Sequence, residues 1–146
     1  MRMLYMDSSA LVKRYVQEAE SPAVVARIES APIIGTALIT RVEVPAALKK
    51  AVRTGDMDRD EAEEAHREFL EDWPDLTRIG VTEALAARAG DLAWLHDLRA
   101  YDAAQLAAAL TWRDEREDPE DEIVFACYDI DLRRAAMAED LEMWPE

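Results

Sequence analysis

Four acidic residues lie far apart along the chain, each at a point where a short apolar segment meets the start of a helical pattern. They are Asp7, Glu43, Asp102 and Asp129. In an open parallel sheet the carboxyl ends of the strands and the starts of the following helices meet at one edge, so such residues can converge there. At about 6 Å separation and an effective dielectric constant near 20, each like-charge pair costs about 3 kcal/mol. A cluster of four carboxylates therefore either takes up protons or binds cations.

The ligand type favours a hard divalent cation. Carboxylate oxygens without nitrogen or sulfur select Mg²⁺ or Mn²⁺ over zinc. The two histidines, His66 and His96, have no metal-binding spacing and are interpreted as surface or packing residues of helices. We therefore expect Mg²⁺ or Mn²⁺ as the cofactor.

Each of the four acidic residues also has an explanation that needs no metal. Asp7 could cap the first helix, and Asp129 could form the turn after its strand. Residues 40–43 (Thr-Arg-Val-Glu) and 102–105 (Asp-Ala-Ala-Gln) both match the capping box, in which the last side chain reaches back to the N-cap backbone. None of these roles explains why all four residues are predicted at the same edge of the sheet.

Short apolar strands alternate with helical patterns along the chain. Strands are predicted at residues 2–6, 32–35, 76–80 and 123–128, with an edge strand at 141–144. The first helix is predicted after Ser8 or Ser9, with Leu11, Val12, Tyr15 and Val16 as its apolar stripe. Further helices are predicted from Thr36 or Thr40 to about Arg53, at 58–72, from Thr82 to Leu95, at 102–112 and at 132–138. Because Pro45 lacks a backbone N–H, the second helix is expected to kink there or to start late. This alternation predicts a three-layer α/β/α fold with a mostly parallel sheet.

The net charge of −15 argues at first sight against a nucleic-acid partner, because such proteins usually carry a basic surface. However, 21 of the 32 acidic residues lie in residues 56–75, in residues 114–122 and after Ala138. The rest of the chain is slightly basic, with 14 basic and 11 acidic residues. A nucleic-acid-binding surface is therefore compatible with this composition.

The cysteine content and the hydropathy indicate the compartment. Cys127 is the only cysteine, so an intrachain disulfide is excluded and a reducing cytoplasm is expected. No apolar stretch approaches the length that spans a membrane, and the first residues are too short an apolar run for a signal peptide. We expect a cytoplasmic protein without a membrane partner.

Four segments together resemble a known family. They are residues 5–13 (Tyr-Met-Asp-Ser-Ser-Ala-Leu-Val-Lys), 40–44 (Thr-Arg-Val-Glu-Val), 98–107 (Leu-Arg-Ala-Tyr-Asp-Ala-Ala-Gln-Leu-Ala) and 125–136 (Phe-Ala-Cys-Tyr-Asp-Ile-Asp-Leu-Arg-Arg-Ala-Ala). In order and spacing they resemble the motifs of PIN-domain ribonucleases of the VapC toxin kind, the nuclease half of a toxin–antitoxin pair. The likeness extends over nearly the whole chain and implies a single PIN domain over residues 1–146.

The resemblance implies specific roles for residues and partners. The carboxylates of Asp7, Glu43, Asp102 and Asp129 would bind one or two Mg²⁺ or Mn²⁺ ions and catalyse RNA hydrolysis by a metal-activated water, with Ser8 supporting the first motif. RNA phosphates would be contacted by basic residues drawn from Lys13, Arg14, Arg41, Arg99 and Arg134. The helix at 58–72, with the helix before it, resembles the α-helical clip where a separate antitoxin protein docks. A homodimer is also expected.

Three positions depart from the family pattern. Cys127 stands where a threonine or serine is common, and Gln105 stands where a histidine is frequent. Asp131 adds an acid that could be a ligand, a supporting group or a helix cap, and the cap is preferred because Leu132 opens a helical segment.

Two other functions fit the same residues. One is a non-catalytic module of this fold that binds protein partners, with the carboxylates acting as caps. The other is a different Mg²⁺-dependent phosphoryl-transfer enzyme, such as a phosphatase for a small substrate. Against the phosphatase, Asp7-Ser8-Ser9 lacks a neighbouring second aspartate, and the chain has no glycine-rich phosphate loop.

Overall fold

Five parallel strands form one sheet in the computed structural model, which describes residues 1–146. Their order across the sheet is β3-β2-β1-β4-β5, so the first strand lies at the centre. The strands are β1 (Arg2–Met6), β2 (Ile34–Ala37), β3 (Thr77–Ile79), β4 (Glu122–Ala126) and β5 (Glu142–Trp144). All four neighbouring pairs are parallel, which confirms the predicted α/β class.

Seven helices connect and cover the strands. They are α1 (Ser8–Val12), α2 (Ser21–Ser30), α3 (Thr40–Thr54), α4 (Arg59–Asp72), α5 (Glu83–His96), α6 (Ala100–Glu115) and α7 (Ile130–Ala138), with a short 3-10 turn at Trp73–Asp75. None of these helices is both long and apolar enough to cross a membrane.

Alternate residues of the central strands face opposite sides of the sheet, as the pleat requires. Leu4 and Met6 pack in one apolar cluster with side chains of α1 to α4. Tyr5 and Phe125 pack in a second cluster with side chains of α5 to α7. The two clusters lie on the two faces of the sheet, which confirms the three-layer arrangement.

The helix α2 is not predicted from the sequence. Its inward-facing residues Val24 and Ile28 are one helical turn apart, but this single repeat is a weak signal beside the consecutive apolar residues 23–25. Pro22 in the first turn is the one local signal of a helix start that could have identified it. The first helix also ends earlier than predicted, at Val12, although Tyr15 and Val16 beyond it are buried.

The starts of two helices differ from the predicted capping pattern. Ser8 and Ser9 do not cap α1; Asp7 caps it, as the alternative for this residue predicts, by accepting a hydrogen bond from the Ala10 backbone N–H at 2.8 Å. The helix α3 begins at Thr40, the later of the two predicted starts, and continues through Pro45. Its N-cap is Ile39, which has no side-chain acceptor, so neither predicted threonine cap forms.

Two further cap predictions are wrong for the same physical reason, a shift in where the helix begins. The helix α6 starts at Ala100, so Asp102 lies inside the first turn and cannot be its N-cap. Asp129 caps α7 by accepting from the Leu132 N–H at 2.9 Å. Asp131 is therefore inside the helix and is not its cap.

Gly35 of β2 lies directly under an aromatic ring of α6. A Cβ atom at this position would be within 2.8 Å of three atoms of the Trp112 ring, closer than side-chain carbons approach each other. Gly35→Ala is therefore expected to lower the free energy of unfolding by about 1–3 kcal/mol, the usual cost of overpacking a core. Urea denaturation of the two proteins would measure this difference.

Gly80→Ala is the matched control for this substitution. A Cβ atom at Gly80 would have no neighbour within 4 Å, so its effect should stay within about 0.5 kcal/mol. Equal stability of the Gly35→Ala protein and the wild type would contradict the close packing of α6 on β2.

Candidate active site

Asp7 lies directly after β1, at the carboxyl edge of the sheet. Its backbone N–H extends the sheet by donating to the Ala126 carbonyl at 3.3 Å, and its side chain is only 2% exposed. Burial raises the pKa of Asp7 to about 7, and the charges of Asp102 and Glu43 act in the same direction. No basic side chain forms an ion pair with it. The site therefore holds a buried carboxyl group whose negative charge has no cationic partner.

Glu43 lies in the first turn of α3 and is held by two neutral donors. Its Oε2 accepts a hydrogen bond from Ser8 Oγ at 2.9 Å, and its Oε1 accepts one from Gln105 Nε2 at 2.9 Å. The predicted capping box with Thr40 is wrong, because both carboxylate oxygens are directed to partners on α1 and α6. Ser8 thus contacts Glu43, and its supporting role stays a prediction.

Asp102 and Asp129 are joined by one guanidinium group. The Nε and Nη2 atoms of Arg99 are each 3.0 Å from Asp102 Oδ2, and Nη2 is 3.5 Å from Asp129 Oδ2. The hydrogen bond from Arg99 to Asp102, followed by the charges of the two aspartates, raises the pKa of Arg99. The Arg99 side chain is 75% exposed, so it approaches this carboxylate pair from the solvent side.

The four predicted carboxylates thus share one edge of the sheet. In this arrangement no three acidic, histidine or cysteine side chains lie close enough together to hold a metal ion. Their chemistry nevertheless fits a hard divalent cation, since all are carboxylates, the Asp7 charge is unpaired, and a positive group already lies between Asp102 and Asp129. Their role as metal ligands stays a prediction.

Asp131 and Cys127, two of the departures from the family pattern, lie in different surroundings. Asp131 is exposed and lies 3.6 Å from Arg134 Nη1 in the next turn of α7. Cys127 is fully buried, and its Sγ contacts the Asp129 carbonyl oxygen at 3.8 Å. Burial, with the nearby Asp7 charge, raises the pKa of the Cys127 thiol, so the thiol stays protonated.

Two of the predicted RNA-contacting residues already have partners. Lys13 is 12% exposed, forms ion pairs with Glu18 and Glu20, and lies 4.9 Å from the centre of the Tyr128 ring. Arg14 Nε donates to Asp72 Oδ2 at 2.9 Å. Its side chain lines a cavity of about 480 Å³ with Ile34 and Thr77, which begin β2 and β3, so it faces the opposite end of the sheet from the carboxylates.

The other three lie at the carboxylate edge. Arg41 lies two residues before Glu43, is half-buried and has no ion pair, whereas Arg99 and Arg134 are exposed. RNA contact by any of the five basic residues stays a prediction.

Buried polar residues around Glu43 are absent from the predicted site, although Gln105 is noted as a departure from the family pattern. Tyr5, Thr36, Thr40 and Gln105 are all buried and are linked by hydrogen bonds. Their one sequence signal is that each is a polar side chain within an otherwise apolar segment, where a partner is required.

A family model of the PIN domain matches residues 4–136. The chain belongs to the PIN domain family. Two relatives from Mycobacterium tuberculosis are each 30% identical to it over 145 residues, which is 99% of this chain and 96% of theirs. They are Ribonuclease VapC45 of strain CDC 1551 / Oshkosh and Ribonuclease VapC49 of strain ATCC 25618 / H37Rv. The predicted relationship of this PIN domain to VapC proteins is confirmed.

Solved structures share the fold of this PIN domain over nearly its whole length. FitAcB from Neisseria gonorrhoeae superposes with a TM-score of 0.64 at 15% identity, covering 97% of this chain and 96% of the other. VapBC2 from Rickettsia felis, bound to a promoter DNA fragment, gives 0.64 at 11% identity with the same coverage. VapBC-1 from nontypeable Haemophilus influenzae gives 0.61 at 12% identity, also with that coverage. These similarities confirm the PIN-like fold.

Proposed function

We propose that this PIN domain is a metal-dependent endoribonuclease, the toxin of a toxin–antitoxin pair, that hydrolyses RNA phosphodiester bonds. The observation that carries the proposal is the buried, unpaired Asp7 carboxyl group at the same edge as Glu43, Asp102 and Asp129. The names of the two Mycobacterium relatives, both ribonucleases, support the reaction and the substrate class. The cofactor is Mg²⁺ or Mn²⁺.

The protein's own groups would prepare this reaction. Asp7 is anchored by its hydrogen bond to Ala10, and Glu43 by Ser8, so both carboxylates are held before any ion binds. Asp102 and Asp129 would complete the ligand set once Arg99 moves away. A bound divalent ion supplies positive charge that acidifies water and offsets the charge developing on phosphate oxygens.

RNA would approach over the carboxylate edge. Arg41, Arg99 and Arg134 are the basic residues best placed to position phosphates there, because all three lie at that edge and the side chains of Arg99 and Arg134 are exposed. Lys13 is only 12% exposed and is held by Glu18 and Glu20, and Arg14 faces the opposite end of the sheet, so we assign them a lesser part in RNA contact.

Three expectations about partners and location belong to the same proposal. Toxin–antitoxin complexes among the structural neighbours support an antitoxin protein as partner. We place its docking site on the pair of helices α3 and α4. On α4, Leu70 is partly exposed, whereas Phe69 is fully buried and cannot be an anchor. The protein would act in the cytoplasm as a homodimer.

RNA cleavage by purified, antitoxin-free protein tests the proposal. We expect cleavage of total RNA with Mg²⁺ or Mn²⁺, and none when EDTA replaces the ion at equal ionic strength. Cleavage that persists in EDTA would contradict metal dependence. A folded protein that cleaves no RNA under any of these conditions would favour the non-catalytic binding module.

Arg99 leads to a separate prediction about metal affinity. Its guanidinium group lies between Asp102 and Asp129, where it competes with an incoming cation for the same two carboxylates. Arg99→Gln is therefore expected to bind Mn²⁺ about two- to five-fold more tightly, a modest gain because the pair is solvent-exposed and screened. Isothermal titration with Mn²⁺ would measure the change.

Arg134→Gln is the matched control for this prediction. It removes the same charge from the same edge, but its partner Asp131 is not one of the four carboxylates. We expect a smaller change in Mn²⁺ affinity than for Arg99→Gln. Weaker Mn²⁺ binding by Arg99→Gln would contradict the competition.

A further inference from the structure

Gln105 is a polar side chain buried in the apolar, alanine-rich face of α6. It is 2% exposed, and its helical neighbours Ala103, Leu106 and Ala109 are buried with it. A buried amide is costly unless its donors and acceptor are used. Gln105 uses all of them, so its hydrogen bonds fix how the side chain is oriented.

Three hydrogen bonds hold the amide group. Tyr5 Oη donates to Gln105 Oε1 at 2.6 Å, and Gln105 Nε2 donates to Thr40 Oγ1 at 3.0 Å and to Glu43 Oε1 at 2.9 Å. The reversed amide would place its carbonyl oxygen against the Glu43 carboxylate, two acceptors without a proton between them. The Tyr5 hydroxyl is fully buried and faces the carbonyl oxygen of the amide, so it must be the donor of this bond.

The hydrogen bonds continue from Gln105 to the end of β1. Thr36 Oγ1 donates to the Met6 carbonyl at 2.8 Å, so Thr40 must donate to Thr36 Oγ1, at 2.8 Å, in order to pair both hydroxyls. The donors therefore run in one direction, from Gln105 through two threonines to Met6. Met6 precedes Asp7, and the same chain of bonds thus connects two of the four carboxylate positions.

We propose that Gln105 is a positioning residue that holds the Glu43 carboxylate at the edge where it would bind a metal ion, with Tyr5 fixing the orientation of the Gln105 amide. This inference rests on the proposed function, because it takes Glu43 as a metal ligand. An uncharged donor suits this role, because it orients Glu43 Oε1 without adding a positive charge that would compete with the ion. Ser8 restrains the other oxygen in the same neutral way.

Mn²⁺ affinity of three variants tests the inference. Gln105→Leu removes the donor to Glu43 at similar volume and is expected to weaken Mn²⁺ binding about 10- to 100-fold, the usual effect of losing a group that orients a metal ligand. Tyr5→Phe keeps the Gln105 amide but removes the hydrogen bond that fixes its orientation, so we expect a smaller decrease in Mn²⁺ affinity. Isothermal titration would give the dissociation constants, and thermal melting would confirm that each protein is folded.

Ser21→Ala is the matched control. Ser21 is also buried and, at the start of α2, donates to the Val16 carbonyl at 2.9 Å, away from the four carboxylates. It should lower the melting temperature without changing Mn²⁺ affinity. RNA cleavage by Gln105→Leu should recover when the Mn²⁺ concentration is raised about 10- to 100-fold, which a purely structural defect would not do.

The outcomes separate the two proposals. Unchanged Mn²⁺ affinity in folded Gln105→Leu, or an equal loss in Ser21→Ala, would overturn the positioning role while leaving the nuclease intact. If Gln105→Leu does not fold, the Tyr5→Phe protein decides, and unchanged Mn²⁺ affinity there would overturn the inference. A wild-type protein that neither binds Mn²⁺ nor cleaves RNA would overturn the proposed function as well.

Discussion

Asp7→Asn and Asp102→Asn are each expected to lower the rate of RNA cleavage by about 10²–10³-fold, the scale seen when one preorganised electrostatic group is removed from an active site. Asparagine keeps the size of aspartate but loses the charge that attracts a cation. At residue 7 it also keeps the cap, because its side-chain oxygen can still accept from the Ala10 N–H. Both variants should therefore fold, and the loss should be in activity alone.

The measurement is the initial rate of cleavage with Mg²⁺ at equal protein concentrations. Asp91→Asn is the matched control, because Asp91 is exposed on α5 and forms no ion pair. Its activity should equal that of the wild type. Full activity in either Asp7→Asn or Asp102→Asn would exclude that carboxylate from the reaction, and full activity in both would overturn the assignment of the site.

Asp7→Asn is also expected to be more stable than the wild type in the absence of metal. Burial raises the pKa of Asp7 from 3.8 to about 7, so the folded wild type holds a proton that the unfolded chain releases. Wild-type stability is therefore lost as the pH rises from about 4 to about 7, and the loss at neutral pH is about 4 kcal/mol. Asparagine is uncharged at every pH and avoids this loss.

Urea denaturation in EDTA at several pH values between about 5 and 8 would measure the difference in the free energy of unfolding between the two proteins. It should grow as the pH rises and level off above about pH 7, where Asp7 is ionised in both states. Excess Mn²⁺ should narrow it, since an ion that binds only the folded wild type stabilises it. A constant difference across this pH range would contradict the buried, unpaired state of Asp7.

These two expectations together describe a site that is costly to the fold. The same carboxyl group that activity needs lowers the stability of the metal-free protein at neutral pH. Removing its charge should stabilise the protein and inactivate it, the trade-off that strained functional sites commonly show.

Local sequence patterns are sufficient to predict the strands and the edge at which the acids meet. Asp7 and Asp129 each follow a short apolar run, and such runs become neighbouring parallel strands when helical segments separate them. The side-chain partners are different. Thr40 and Glu43 match a capping box, but Glu43 instead accepts from Ser8 and Gln105, which only the packing of α1 and α6 brings within reach.

The separation along the chain explains why these partners escape prediction. The hydrogen bond from Tyr5 to Gln105 joins residues 100 positions apart, and no local pattern encodes it. The contact of Arg99 with Asp129 is also not encoded locally, because it depends on how the start of α6 lies against the start of α7. In each case tertiary contact outweighs the local preference that the sequence displays.

The central position of β1 has a consequence for synthesis of the chain. On one side it pairs with β4, with Met6 opposite Ala126. The strand that is synthesised first can therefore form this pairing only after β4 has been synthesised. Pairings of such long separation form slowly, because a large loop must close first. A nascent chain that ends before β4 lacks Asp129 and the strand that supports Asp7. The carboxylate edge can therefore assemble only when translation of the domain is nearly complete, and unfinished chains would leave cellular RNA intact.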